Sequence, residues 1–233
     1  MMLGNDVVDL RDPDSDVATH PARFDERVFA PGERALIQHS AQPARLRWQL
    51  WSAKEAAFKA AKKRSAATIF SPRRFEVEVE VESSSDDCGQ VLQRQGAQPA
   101  DSFQVRWWNA ADAVHAVAMR GDARRVEGPG MLVHGFRRAC AAETAGRTTA
   151  AGAWGPSRAV RAFAREELAR QLGVSLSSVE IRTAKRVPEL WLDDARAGAS
   201  LSLSHHGDWL AFACWVDSTV GACVANASQR WAS

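Results

Sequence analysis

Tyrosine is absent from the 233 residues, although tryptophan occurs nine times. Acid–base chemistry must therefore draw on carboxylates, histidines or lysines. Cysteine is scarce, and Cys88, Cys140, Cys214 and Cys223 lie far apart with no CxxC pair. That speaks against a zinc site or a disulfide framework and for buried or incidental thiols. No run is long and apolar enough to cross a membrane, and the opening residues lack a signal peptide's basic and apolar regions. A cytoplasmic chain is expected. The net charge of +2 lacks the basic excess of a protein built around nucleic acid. With 45% hydrophobic and 25% charged residues, the chain has material for one large domain or two small halves.

The most informative stretch is Trp51 to Lys59, WSAKEAAFK. Its spacing predicts one helix, from about Ala44 just after Pro43 to Arg64. Glu55, Lys59 and Lys62, at i, i+4 and i+7, are expected on one face, with Leu46, Leu50, Ala53, Ala57 and Ala61 toward the core. A carboxylate flanked by cations can hold a divalent metal and the phosphates it bridges. The plainer alternative is a solvated pair supporting the helix by about 0.2–0.5 kcal/mol. The basic end, Lys59, Lys62, Lys63 and Arg64, suits either the helix dipole or a phosphate.

Upstream, Leu3 to Leu10 reads as a strand in which Asp6 shares a face with Val8 and Leu10, while Asp9 points the other way. A carboxylate on that face must be paired, bind a metal or cap the next turn. Phe75 to Glu82 alternates cleanly, with valines inward and glutamates toward water. After a loop from Ser83 to Ser102, Phe103–Trp108 and Val114–Met119 suggest two more strands. Residues 121–157 lose periodicity and read as a connection, with at most a short helix near Phe136 to Glu143. Arg158 to Leu172 is an amphipathic helix stopped by Gly173. Lys185-Arg186-Val187-Pro188 forms a basic turn, and Ser200 to Val216 forms a hairpin with His205 and His206 at its tip.

Together these stretches resemble the 4′-phosphopantetheinyl transferase superfamily. Gly4-Asn5-Asp6-Val7-Val8-Asp9-Leu10 is similar to its Gly-x-Asp strand, and WSAKEAAFK to its Trp-Ser/Thr-x-Lys-Glu-Ala-x-x-Lys helix. SLSHHGDW is similar to its Ser-His-Ser-Gly hairpin, with His206 where serine usually stands. Two features depart from the larger, surfactin-synthetase type. The Gly-x-Asp strand and Lys-Glu helix precede the hairpin instead of following it, and Val8 replaces a second acidic ligand. The resemblance implies an α+β fold of two pseudo-equivalent halves, each with antiparallel strands packed on helices. Residues 1–120 would carry the metal-binding strand and helix, 121–157 the connection, and 158–233 the hairpin and coenzyme A phosphate contacts.

The implied reaction moves 4′-phosphopantetheine from coenzyme A to a serine of an apo carrier protein, with Mg2+, releasing 3′,5′-ADP. By this resemblance Asp6 and Glu55 are the metal ligands, and Glu55, Lys59 and Asp6 the catalytic set, with Lys54 a weaker candidate base. Ser204, His205, Lys185, Arg186 and Lys62 would bind coenzyme A. Arg45, Arg47, Lys62 and Lys63 could steer an acidic carrier protein. Neither nucleic acid nor membrane is an expected partner, and both halves in one chain imply a monomer. The alternatives weighed against this are a non-catalytic coenzyme A or carrier-protein binding module, a histidine-dependent metal hydrolase and a plain structural domain.

Overall fold

The computed structural model describes residues 1–21, 23–79, 88–96, 98–120, 130–144 and 155–217. The chain opens with strand β1 (Leu3–Asp9), then the short helix α1 (Phe24–Val28), α2 (Pro31–His39) and the long α3 (Pro43–Arg64). Strands β2 (Phe75–Val79), β3 (Cys88–Gln95), β4 (Gln98–Asn109) and β5 (Ala113–Arg120) follow. With β1 they make a five-stranded antiparallel sheet in the order β1-β5-β4-β3-β2. Proline at the first position of α3 supplies a pre-set φ without losing a needed donor. Leu50, Ala53, Ala57 and Ala61 are buried in this half's core with Phe75, Val77, Val91, Phe103 and Val105.

Small residues bring α3 against β1. A Cβ on Gly4 would run into the Ala56 carbonyl oxygen, so only glycine permits this approach. Ala56 and Ala60, both fully buried, lie at this contact on the helix.

The second half contains β6 (Gly130–Arg138), α4 (Ala141–Thr144), α5 (Pro156–Leu172), β7 (Val179–Ala184), β8 (Val187–Leu192), β9 (Ala195–Arg196), β10 (Ala199–His206) and β11 (Trp209–Asp217). It holds two antiparallel sheets, β10-β11-β6 and β7-β8-β9. Helix α5 ends at Gly173, whose φ of 69° is the left-handed conformation of a helix stop. Its stripe of Val160, Phe163, Ala164, Leu168 and Leu172 packs with Leu201, Leu210 and Phe212. The fold is thus α+β, two halves of antiparallel strands packed on a long helix. Smaller clusters join the halves: Leu3, Val117 and Met119 meet Ala213 and Trp215, and Val7 and Ala113 meet Trp209 and Ala211.

Two stretches differ from the sequence expectation. The segment 121–157, read as a connection, contains β6, which pairs along its length with β11. Its strand character is hidden because Gly130 and Gly135 leave room for the rings of Trp215 and of Phe212 and Phe163. Only Val133 of its nine residues is buried, so no alternation shows. Likewise β3 lies inside the expected loop 83–102, where polar neighbours conceal the buried Gly89 and Val91. Glu80, Val81 and Glu82, assigned to the alternating strand, lie outside the described residues, as does Cys223. Among the described residues no helix is long and apolar enough to cross a membrane.

Candidate active site between the two halves

One edge of β1 pairs with β5; the other meets side chains of β10. Leu3, Asn5, Val7 and Asp9 donate their amides to Ser200 Oγ (3.3 Å), Ser202 Oγ (3.0 Å), Ser204 Oγ (3.4 Å) and His206 Nδ1 (3.1 Å). Each rung has the same sequence offset of 197 residues. Period-two alternation makes this possible: even positions of β10 face β1, while Leu201 and Leu203 pack with α5's core. The ladder satisfies strand-edge donors that would otherwise be unpaired.

Asp6 sits on this seam, facing α3. Its Oδ1 accepts from Lys59 Nζ and from Ser204 Oγ, both at 2.8 Å. Lys59 also donates to the Asn5 carbonyl at 3.0 Å and approaches Ser204 Oγ at 3.3 Å. A lysine of the first half and a serine of the second therefore hold one carboxylate. Glu55, one turn before Lys59, is mostly buried. Burial and the neighbouring Asp6 charge push its carboxyl up to about 7, against the opposing pull of Lys59.

The expected basic face of α3 is displaced by one residue. Lys62 does not join Glu55 and Lys59; its ammonium donates to the Thr68 carbonyl and lies over the Phe58 ring. Lys63, at i+4 from Lys59, turns into the seam instead. It donates to Leu3 O (2.7 Å), Leu201 O (2.6 Å) and Ser200 Oγ (3.2 Å). Burial lowers its pKa to about 7. Lys54 is remote from the seam, fully buried in an ion pair with Glu33 at 2.7 Å. Arg45 and Arg47 are committed within the first half, to the carbonyls of Ala110 and Ala111 and to Asp25 respectively.

Two depressions, each of about 200 Å³, meet at the tip of β10, one on the seam and the other within the second half. One is lined by Asp6, Glu55, Val8, Trp48, Trp51, His205 and His206. The other is lined by Arg161, Arg186, Ser157, Pro188, Leu203 and, again, His205. His205 is their shared wall. Arg186 and Lys185 occupy the turn between β7 and β8, with φ of 68° and 50°. Both central residues in the left-handed region make a tight two-residue hairpin. The same geometry recurs at Asp193-Asp194, so the strain itself does not mark the site. Lys185 is exposed and does not line the basic depression. Arg161, on α5, lines this depression although no motif read from the sequence includes it; its guanidinium donates to Thr183 Oγ1 at 2.9 Å.

The acidic depression offers oxygen ligands suited to a hard cation. Asp6 and Glu55 face one space, and the Glu55 carboxyl is raised first by burial and then by the Asp6 charge beside it, with Lys59 opposing both. A magnesium ion fits that donor set, since it commonly takes one or two carboxylates with waters and phosphates. Among the described residues no group of three His, Cys, Asp or Glu side chains is placed to hold an ion. Val8, in the position of a second acid, supplies none.

The model of the 4′-phosphopantetheinyl transferase superfamily matches residues 2–118, half of the chain, including Asp6, Glu55 and Lys59. The chain belongs to this superfamily. A holo-[acyl-carrier-protein] synthase of Azorhizobium caulinodans is 41% identical over 58 residues, covering 25% of this chain and 43% of that protein. The chain thus spans less than half the length of that curated relative. Among solved structures, the acyl carrier protein synthase of Mycobacterium tuberculosis is 26% identical, with a TM-score of 0.37 over 52% of this chain and 96% of that one. Holo-[acyl-carrier-protein] synthase of Neisseria meningitidis is 16% identical, with a TM-score of 0.40 over 52% and 98%. The superfamily match stops before β10, so the Ser204–His205 half of the site rests on the geometry alone.

Proposed function

We propose that this chain transfers the 4′-phosphopantetheine group of coenzyme A to a serine hydroxyl of an apo carrier protein, releasing 3′,5′-ADP. The observation that carries this reading is the position of His205. It belongs at once to a basic depression with Arg161 and Arg186 and to an acidic one with Asp6 and Glu55. Coenzyme A presents the same sequence of needs: a phosphorylated nucleotide to be gripped by cations, then a diphosphate where the reaction occurs.

Arg161, Arg186 and His205 would bind the nucleotide phosphates, the guanidiniums through charge-assisted hydrogen bonds. Asp6 and Glu55 would hold Mg2+, which supplies charge neutralisation at the phosphoryl oxygens. Glu55 takes the proton of the carrier's serine as its oxygen bonds to the pantetheine-bearing phosphorus. The phosphorus–oxygen bond to the nucleotide breaks, and its electron pair leaves on 3′,5′-ADP. Lys59, held by Asp6 and Asn5, sets positive charge beside the reacting group. Ser204 takes a different part from phosphate binding: its hydroxyl is spent on Asp6 and Val7. Lys62 has no part in this mechanism. Both halves of the site come from one chain, which supports a monomer as the working unit.

Intact-mass measurement of an apo acyl carrier protein with this chain, coenzyme A and magnesium tests the reading. A phosphopantetheine-sized gain, lost with Glu55→Gln and with magnesium chelated, is the expected result. No gain on fatty-acid, polyketide and peptide carriers alike, with coenzyme A still bound tightly, would instead establish a non-catalytic binding module.

A further inference from the structure

The ladder along β1 needs only an acceptor at each rung. Ser200, Ser202 and Ser204 provide it with hydroxyl oxygens, and His206 continues the series with Nδ1 at 3.1 Å from the Asp9 amide. A ring nitrogen that accepts from a backbone N–H carries no proton of its own. The neutral imidazole is therefore fixed as the tautomer protonated on Nε2. A serine would suffice for the rung; the imidazole adds a second, donating nitrogen.

The surroundings fix where that ring stands. Asp9 is nearly buried, and its carboxylate accepts from the Arg11 amide (2.9 Å) and the Asp208 amide (3.0 Å). Its carbonyl accepts from Ser15 Oγ at 2.6 Å. Gly207 passes so close to the Asp9 carboxylate that a Cβ there would collide with it. The hairpin tip is thereby clamped to the end of β1, and His206 is held on the wall of the depression containing Asp6 and Glu55.

Resting on the transferase reading, we infer that His206 is a substrate-contacting residue whose Nε2–H donates a neutral hydrogen bond to a phosphoryl oxygen of coenzyme A during transfer. No proton is transferred by His206; it contributes a positioned neutral donor beside the cationic Lys59, Arg161 and Arg186. Because its tautomer is set by the Asp9 amide, the donor is in place before substrate arrives, as preorganised stabilisation requires.

Two amide substitutions separate the two nitrogens. In His206→Asn the side-chain oxygen reaches the Nδ1 position, keeping the rung and losing the donor. In His206→Gln the amide nitrogen reaches the Nε2 position, keeping a donor and losing the rung. Carrier modification at varied coenzyme A concentration gives kcat and KM, and urea unfolding gives the midpoint. For His206→Asn the expected result is an unchanged midpoint with kcat lowered about 10- to 100-fold, the worth of a hydrogen bond to a charged group. His206→Gln should unfold at lower urea yet keep most of kcat. Wild-type kcat in His206→Asn, or equal kcat losses in both variants, would overturn the inference while leaving the transferase reading intact. A wild-type chain that modifies no carrier would overturn both.

Discussion

Ser204 Oγ donates to Asp6 Oδ1 across 2.8 Å, joining residues 198 positions apart. The same hydroxyl oxygen accepts the Val7 amide, so one serine satisfies β1's edge and orients its carboxylate. Removal of the hydroxyl leaves a nearly buried amide without its partner and a carboxylate with only Lys59 on that oxygen. Ser204→Ala should cost about 1–3 kcal/mol of stability by urea unfolding. With Asp6 as the metal ligand proposed above, the group that orients it should also be worth about 10- to 100-fold in activity or metal affinity. Loss of stability with full activity would reduce Ser204 to a rung of the ladder.

The seam also contains a lysine that stability should report through pH. Lys63 donates to carbonyls on both β1 and β10, yet burial lowers its pKa to about 7. Below pH 7 it is charged in both folded and unfolded chains, and folding bears the full cost of burying that charge. Between about 7 and the usual lysine value near 10.4, the unfolded chain binds a proton that the folded chain does not. Stability should therefore rise with pH through that interval. The buried Cys214 thiol, pushed up to about 12, opposes this at the alkaline end. The difference between wild type and Lys63→Met, measured from pH 6.5 to 9.5, isolates the lysine. A difference that stays constant with pH would refute the assignment.

How much of this was legible depended on the range of the interactions. The Trp51–Lys59 helix and the hairpin around Gly207 are local, and their periods stand in the sequence. Helical spacing alone could not choose between Lys62 and Lys63. That choice is made by the carbonyls of Leu3 and Leu201 across the seam, which Lys63 reaches and Lys62 does not. The alternating serines of β10 were equally visible, but an offset of 197 residues fixes what they face. Strand β6 was illegible because its glycines are complements to aromatic rings elsewhere, not turn signals.

Arg161 provides a test of the basic depression. It shares that space with Arg186 and His205 but has no place in any of the three motifs. Arg161→Ala should raise KM for coenzyme A by about 10- to 100-fold, the equivalent of one charge-assisted hydrogen bond. Its kcat should change much less, because the residue stands away from Asp6 and Glu55. An unchanged KM would remove this depression from the coenzyme A path.

Gly4 tests the packing that sets Asp6 beside α3. In Gly4→Ala the new methyl meets the Ala56 carbonyl and the Ala60 amide, backbone atoms that cannot step aside as a flexible side chain can. Overpacking costs about 1–3 kcal/mol, and a backbone collision belongs at the upper end. Displacement of β1 would carry Asp6 away from Lys59, so activity should fall more steeply than the folded fraction at the assay temperature. Equal losses would mean that β1 and α3 adjust without disturbing the site.

Lys54 separates structure from chemistry within the same helix. It is 0% exposed and its partner Glu33 only 1%, with Glu33 also accepting the amides of Ala30 and Val77. Lys54 donates in addition to the carbonyls of Pro72 and Phe75, tying α3 to the start of β2. Burial lowers its pKa, while Glu33 pulls in the opposite direction. Lys54→Met leaves the Glu33 charge buried without its partner, a loss of about 3–5 kcal/mol. Glu33→Gln combined with Lys54→Met should cost less than the sum of the single changes, because the two groups act as a unit. A base in the transfer reaction would instead leave a missing limb in the pH–rate profile when replaced. For the folded fraction of Lys54→Met the profile should keep the wild-type shape, since Lys54 and the Asp6–Glu55 site occupy different faces of α3.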